Sequence, residues 1–171
     1  MTPNLLVSYD PSHSGSAKDT VVSVFKDTNH NIKQLKKEID GLFSASVKDV
    51  RKAVNDLTKL CNKRPEKFKK TFHYIPIDKW CKATIKDMQK AVKGIAKDIK
   101  DKEKWKMELG KRNRKEHSID LILKLTEVVE KPKVDLNNPD KIIRIEIIGN
   151  KAGISLLKKG ELLSVPKIEG A

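Results

Sequence analysis

Aromatic residues are scarce in this 171-residue chain: two tryptophans, two tyrosines and four phenylalanines make up 5% of it. Recognition of unpaired bases by stacking needs more rings than that, so stacking is excluded as the main mode of any nucleic-acid contact. Long apolar runs are missing too. Nothing approaches the roughly 20 residues of a membrane span, and the opening MTPNLLVSYD has neither the basic start nor the apolar stretch of a secretory signal. A soluble, cytoplasmic protein with no membrane partner is expected. Cysteine is limited to Cys61 and Cys81, a spacing that fits neither CxxC nor a metal finger, so two buried thiols in a reducing compartment are expected. The four histidines (His13, His30, His73, His117) show no HxxxH or HExxH spacing, which argues against a metal site. GxGxxG, GxxxxGK[ST] and GxSxG are absent, and with them the sequence basis for dinucleotide, P-loop or serine-hydrolase chemistry. Gly15 in SHSGS reads as an ordinary helix start. No catalytic residue and no cofactor are expected.

What the chain has in abundance is positive charge. Thirty-seven Lys and Arg against 23 Asp and Glu give +14, with a pI near 9.7. Up to Ile75 there are 14 basic and 8 acidic residues, and beyond it 23 and 15. Both halves are therefore basic, and the charge belongs to the folded body rather than to a tail. Two stretches are densest, Lys59 to Lys70 and Lys97 to Lys115. A surplus of this kind is the footprint of a polyanion binder, although any single lysine is more readily a solubilising surface residue than a contact.

Hydrophobic spacing predicts the elements. Leu5, Val7 and Tyr9 alternate as a strand, and Ala17, Val21, Val24 and Phe25 recur as a helix face. Ile32, Leu35 and Ile39 fit a helix by spacing, yet Asp40-Gly41 is a hairpin signal. Two strands around that turn are the reading taken. A helix from Val50 to Cys61, stopped near Arg64-Pro65, and a strand from Phe68 to Ile75 complete the order strand, helix, strand, strand, helix, strand. This is the split βαβ, or ferredoxin-like, arrangement. From Asp78, the series Cys81, Ile85, Met88, Val92, Ile95, Ile99 predicts the longest helix of the chain. A strand at Trp105, Met107 and Leu109 follows, with Lys106 and Glu108 on its other face. After the basic loop GKRNRKE come a helix from Ser118 and strands over 141–148, 152–157 and 162–165.

The run KMELGKRN, the helix HSIDLILKLTEVVE and the segment KVDLNNPDKIIRIEIIGNKAGISLL together resemble a THUMP domain. That is the RNA-binding module shared by thiouridine synthetases, certain RNA methyltransferases and certain pseudouridine synthases. The resemblance covers roughly Ile77 to Val165 and implies an α+β chain: a ferredoxin-like βαββαβ domain at 1–76, packed on a THUMP α/β domain at 77–166, then a tail at 167–171. No SGGxDS loop, methyltransferase motif, DPPY or NPPY is present. The KRN and GIS elements are similar to the stand-alone THUMP proteins that assist tRNA acetylation. The resemblance then implies a tRNA-binding adaptor that grips the acceptor stem and 3′ end. It would present the tRNA to a separate RNA cytidine acetyltransferase, which forms N4-acetylcytidine in the D-arm. An RNA-binding subunit for thiolation or methylation, or a basic protein-interaction module, are the alternatives.

The candidate RNA-binding residues are Lys106, Lys111, Arg112, Asn113, Arg114, Lys115, His117, Arg144 and Lys151, with Lys63, Arg64, Lys69 and Lys70 in the first half. Lys106 shares a strand face with Glu108, and the loop cations follow directly. Arginine holds phosphate bidentately, and asparagine reads a base edge or a 2′-hydroxyl. Arg112 is carried by the resemblance, which has arginine at that place. Arg144, inside a strand of isoleucines, has two readings: a phosphate contact, or a cross-strand partner for a carboxylate. Lys63, Arg64, Lys69 and Lys70 have solvation as the plainer reading. Trp80 and Trp105 are expected in the core, leaving Tyr74, Phe72 and His117 to stack.

Overall fold

Two sheets follow one another along the chain, and the computed structural model describes residues 2–112 and 118–170, with the backbone alone at 111, 112 and 118. The first unit runs to Pro76 and is completed by the residues from Gly160 on, while Ile77–Lys159 forms the second. In the first unit β1 (Leu5–Tyr9), α1 (Ser14–Asp27), β2 (Ile32–Ile39), β3 (Leu42–Val47), α2 (Val50–Lys63) and β4 (Thr71–Pro76) follow the predicted order. Their sheet is antiparallel, with β3 and β4 flanking β1. Val21, Val24 and Phe25 of α1 and Val54, Leu57 and Cys61 of α2 close over Leu5, Val7 and Tyr9. Side chains this deeply buried contribute about 1.5–3 kcal/mol each through the hydrophobic effect.

The helix-like spacing of β2 has a structural cause. Lys33 pairs with Ser46 but Lys36 pairs with Ser44, so one residue is extra on the β2 side. Gln34 takes up the bulge in the left-handed region, at φ 55°. The bulge restores the inward parity, so Ile32 and Leu35, three apart, both pack on the same core. Gly41 turns the hairpin at φ 87°, a value L-residues avoid.

Two boundaries differ from the sequence reading. Phe68 ends a short 3-10 turn, Pro65–Phe68, and the strand starts at Thr71. The chain end is neither part of the second unit nor a tail. β9 (Leu163–Ser164) pairs antiparallel with β4, and α5 (Val165–Glu169) brings Val165 into the first core. Leu163 and Val165 are each 1% exposed, which explains why this segment docks.

The second unit holds β5 (Lys79–Lys82), α3 (Ile85–Ala96), β6 (Trp105–Arg112), α4 (Ser118–Thr126), β7 (Lys141–Ile148) and β8 (Lys151–Lys158). Its sheet order is β5-β8-β7-β6, with β6 and β7 parallel and the other pairs antiparallel. The helix predicted from Asp78 is instead a strand followed by a shorter helix. Thr84 caps α3, its hydroxyl accepting from the Asp87 N–H at 3.1 Å. Cys81 continued the helical spacing because it sits on the sheet face that α3 covers. At 12 residues α3 is shorter than α1 and α2, at 14 each, and Ile99 lies beyond its end, buried. Met88 and Val92 of α3 and Leu121 and Leu125 of α4 pack on Trp105, Ile143, Ile145 and Ile147.

Both cysteines are free, Cys61 buried and Cys81 partly exposed. Burial pushes the Cys61 thiol up to about 11. Among the described residues no helix is long and apolar enough to cross a membrane.

Candidate nucleic-acid interface

Strand register decides which of the candidate cations meet. Along β6 and β7, Glu108 lies opposite Arg144 and Gly110 opposite Glu146. These residues alternate with Met107, Leu109, Ile143 and Ile145 and so occupy the sheet face away from α3 and α4. Lys106 Nζ reaches Glu108 at 2.9 Å. Arg144 bridges the two strands, with Nη1 3.1 Å from Glu108 and Nη2 2.7 Å from Glu146. Its Nε also donates to Glu146 at 2.8 Å. The cross-strand reading of Arg144 is therefore what the geometry displays. Two cations and two carboxylates form a ladder whose formal charge cancels.

Glu146 is fully buried, while the Arg144 side chain keeps 19% of its exposure. The register leaves room for this carboxylate by placing Gly110 of β6 opposite it, while Gly153, its partner on β8, clears Ile77 and Trp80. A Cβ at Gly110 would come within 2.7 Å of the Glu146 carboxyl carbon. The surrounding charges set the protonation of Glu108 and Arg144. Burial pushes the Glu108 carboxyl up, but hydrogen bonds from Lys106 and Arg144 outweigh it and hold the group below its ordinary value. Burial likewise disfavours the charged guanidinium of Arg144, and the carboxylates of Glu146 and Glu108 more than reverse this, keeping it firmly protonated.

The other candidates fall in four groups. Lys111 and Arg112 end β6 opposite Ile147 and Ile148, and their side chains lie outside the described residues. Asn113, Arg114, Lys115 and His117 lie outside them altogether. Lys151, at the start of β8, holds its ammonium 5.1 Å from the centre of the Trp80 ring, within reach of a cation–π attraction.

Lys63, Arg64, Lys69 and Lys70 belong to the first unit. Lys63 sits in the last turn of α2, where the helix dipole favours a cation, and Arg64 Nε is 3.1 Å from Glu66. Lys63 and Lys69 are exposed. Lys70, at φ 69°, acts on Asp10, whose carboxyl is lowered first by the Ser12 N–H and then by His13 and Lys70. Of the rings expected to stack, Tyr74 is fully buried and its hydroxyl donates to Thr71 at 3.0 Å, so it cannot. Phe72 is 38% exposed.

Four cations outside the predicted set line α3 and its C-terminal cap. Lys86, Lys90, Lys93 and Lys97 are all exposed and follow one another at intervals of four, three and four residues. Their spacing is legible in the sequence. The apolar stripe of the same segment masks it, because both faces share the helical period.

Comparison with known proteins places the second unit. Residues 82–157 match the family model of the THUMP domain, so the chain contains that domain. No curated protein matches the chain. Among solved structures, PH1313 from Pyrococcus horikoshii Ot3 is similar with a TM-score of 0.64 at 16% identity, over 92% of this chain and 55% of that one. TrmN from Thermus thermophilus is similar at 0.58 and 12%, over 89% and 44%. A possible methylase from Clostridium difficile 630 is similar at 0.57 and 10%, over 91% and 41%. The chain thus spans about half the length of these proteins. Likeness at such identities is likeness of fold.

Proposed function

We propose that this THUMP-containing chain binds tRNA and, without catalysing a reaction itself, presents it to a separate modification enzyme. The observation that carries the reading is the THUMP domain at residues 82–157 within a chain of net charge +14. Lysine supplies most of that charge, and lysine meets phosphate as a point charge without reading sequence. Few exposed rings accompany it, which suits recognition of a folded RNA by shape and backbone rather than by splayed bases. Within this reading the ladder of Lys106, Glu108, Arg144 and Glu146 positions the end of β6. The cations that follow, from Lys111 to Lys115, are the ones offered to the acceptor stem and 3′ end. The enzyme served is an RNA cytidine acetyltransferase, an assignment supported by the resemblance of the KRN and GIS elements to stand-alone THUMP proteins.

A competition assay at near-physiological salt tests the binding. Labelled total tRNA is challenged with unlabelled tRNA, tRNA trimmed at its 3′ end, and double-stranded DNA of matched charge. Intact tRNA is expected to compete best, and Arg112→Ala to weaken binding. Equal competition by all three, with no effect of the substitution, rejects the proposal. The acetylation assignment has its own test in cells lacking the protein. Loss of N4-acetylcytidine from tRNA, restored by the wild-type chain, supports it; an unchanged content removes it.

A further inference from the structure

The outer face of α3 is built as a straight row of cations. At 100° per residue, Lys86, Lys90, Lys93 and Lys97 fall within an arc of about 60°, and the row is about 16 Å long. It lies on the side of the helix opposite Met88, Ala91, Val92 and Ile95, which face the core. All four lysines are exposed, and among the described residues none of the four makes an ion pair. Other basic residues behave differently: Lys52 pairs with Asp56, Lys67 with Asp27, Arg51 with Glu161 and Lys141 with Glu103. Like charges three or four residues apart destabilise a helix. The row is thus a feature that α3 tolerates rather than one that holds it together.

Shallow clefts open beside the row. One, of about 310 Å³, is lined by Lys79, Cys81, Lys82, Asp87, Lys90 and Ala91. Two further exposed lysines from β5 thereby join the field. Its acid, Asp87, is engaged by Thr84, whose hydroxyl donates to it at 2.8 Å. The other cleft, of about 210 Å³, is lined by Lys93, Ala96, Lys97, Val128, Glu130 and Lys131. Its acid is Glu130, and the ammonium of the following residue, Lys131, reaches Asp101 at 3.3 Å.

We propose that this face of α3 is an RNA-backbone contact: Lys86, Lys90, Lys93 and Lys97, with Lys79 and Lys82 at its end, track a run of phosphates. The proposal rests on the RNA-binding reading above and adds to it a surface distinct from the end of β6. Two features favour RNA over an acidic protein. The face bears no exposed large apolar side chain, since those described lie at Val22, Phe72, Ile119, Leu123, Val134 and Leu136. Protein interfaces are poor in lysine at their centres and are anchored by aromatic or apolar groups, whereas phosphate needs only charge in line.

The test compares two variants of the full chain that lose the same charge. One carries Lys86→Gln, Lys90→Gln, Lys93→Gln and Lys97→Gln. The control carries Lys26→Gln, Lys33→Gln, Lys48→Gln and Lys167→Gln, all exposed positions of the first unit. Binding of total tRNA is measured across a salt series, with circular dichroism to verify folding. Removing one lysine–phosphate interaction flattens the slope of log K against log salt by about 0.7–0.9. The α3 variant is therefore expected to flatten by about 3, and the control by less than 1. Equal flattening in both overturns the proposal, because net charge alone would then account for it. An α3 variant that matches wild type overturns it as well. Failure of the parent reading shows separately, as wild-type protein that binds charge-matched duplex DNA as tightly as tRNA. If the α3 variant loses binding to an acidic polypeptide but not to tRNA, the face belongs to a protein partner and the RNA assignment is rejected.

Discussion

Replacing Arg144 by methionine tests the ion-pair ladder directly. Met fills the volume of the arginine stem but withdraws the two short contacts to Glu146, at 2.7 and 2.8 Å, and the one to Glu108 at 3.1 Å. Glu146 is fully buried, so its carboxylate keeps the desolvation penalty without the cation that offset it. Breaking a buried pair from one side costs about 3–5 kcal/mol. The Arg144 side chain retains some exposure, at 19%, which places the expected destabilisation near the lower end, about 3 kcal/mol. Both tryptophans of the chain, Trp80 and Trp105, lie in the second unit, so tryptophan fluorescence in a urea titration reports on that unit. The double variant Arg144→Met with Glu146→Met removes both charges, and Gly110 beside position 146 leaves the new side chain room. It is expected to recover most of the stability, since apolar replacements of buried pairs are often neutral or better. A single variant destabilised by under about 1 kcal/mol, or a double variant no more stable than the single, would refute the reasoning.

Two further expectations concern stability. The Glu108 carboxyl is held below its ordinary value of 4.5 in the folded state, so it adds stability above that pH and loses it as the pH falls through the folded value. Wild-type stability should therefore drop as the pH goes below about 4.5, and Glu108→Gln should flatten this acid limb in the same fluorescence assay; an unchanged limb rejects the assignment. Leu163, 1% exposed and paired with Tyr74 across β9 and β4, should cost about 2–5 kcal/mol on truncation to alanine. Hydrogen exchange in β1 and β4 reads the effect, and unchanged protection there would show that β9 adds nothing to the first core.

Local periodicity was enough for most elements because a helix or strand with one buried face writes its period into the chain. The isoleucines at 143, 145 and 147 and the stripe Val54, Leu57, Cys61 each line one face of their core. Period alone misled at two places, each for a definable reason. A bulge at Gln34 moved Leu35 three positions from Ile32 and imitated a helix. Cys81 kept helical register with Ile85 although a cap at Thr84 separates strand from helix.

The sequence by itself determined that the protein is basic throughout, that two α+β units succeed one another, and that THUMP-like elements fill the second. What the tertiary structure decided was which charges meet. Arg144 and Lys106 carry the same formal charge as Lys90 or Lys93, yet Arg144 meets a carboxylate across the strand pair and Lys106 meets one along its own strand, while the latter two stand in solvent. The pairing of Leu163 with Tyr74 was equally beyond local pattern, because it joins residues separated by the whole second unit. Charge is a property of a residue and can be counted along the chain; pairing depends on distances that only strand register and long-range contact establish.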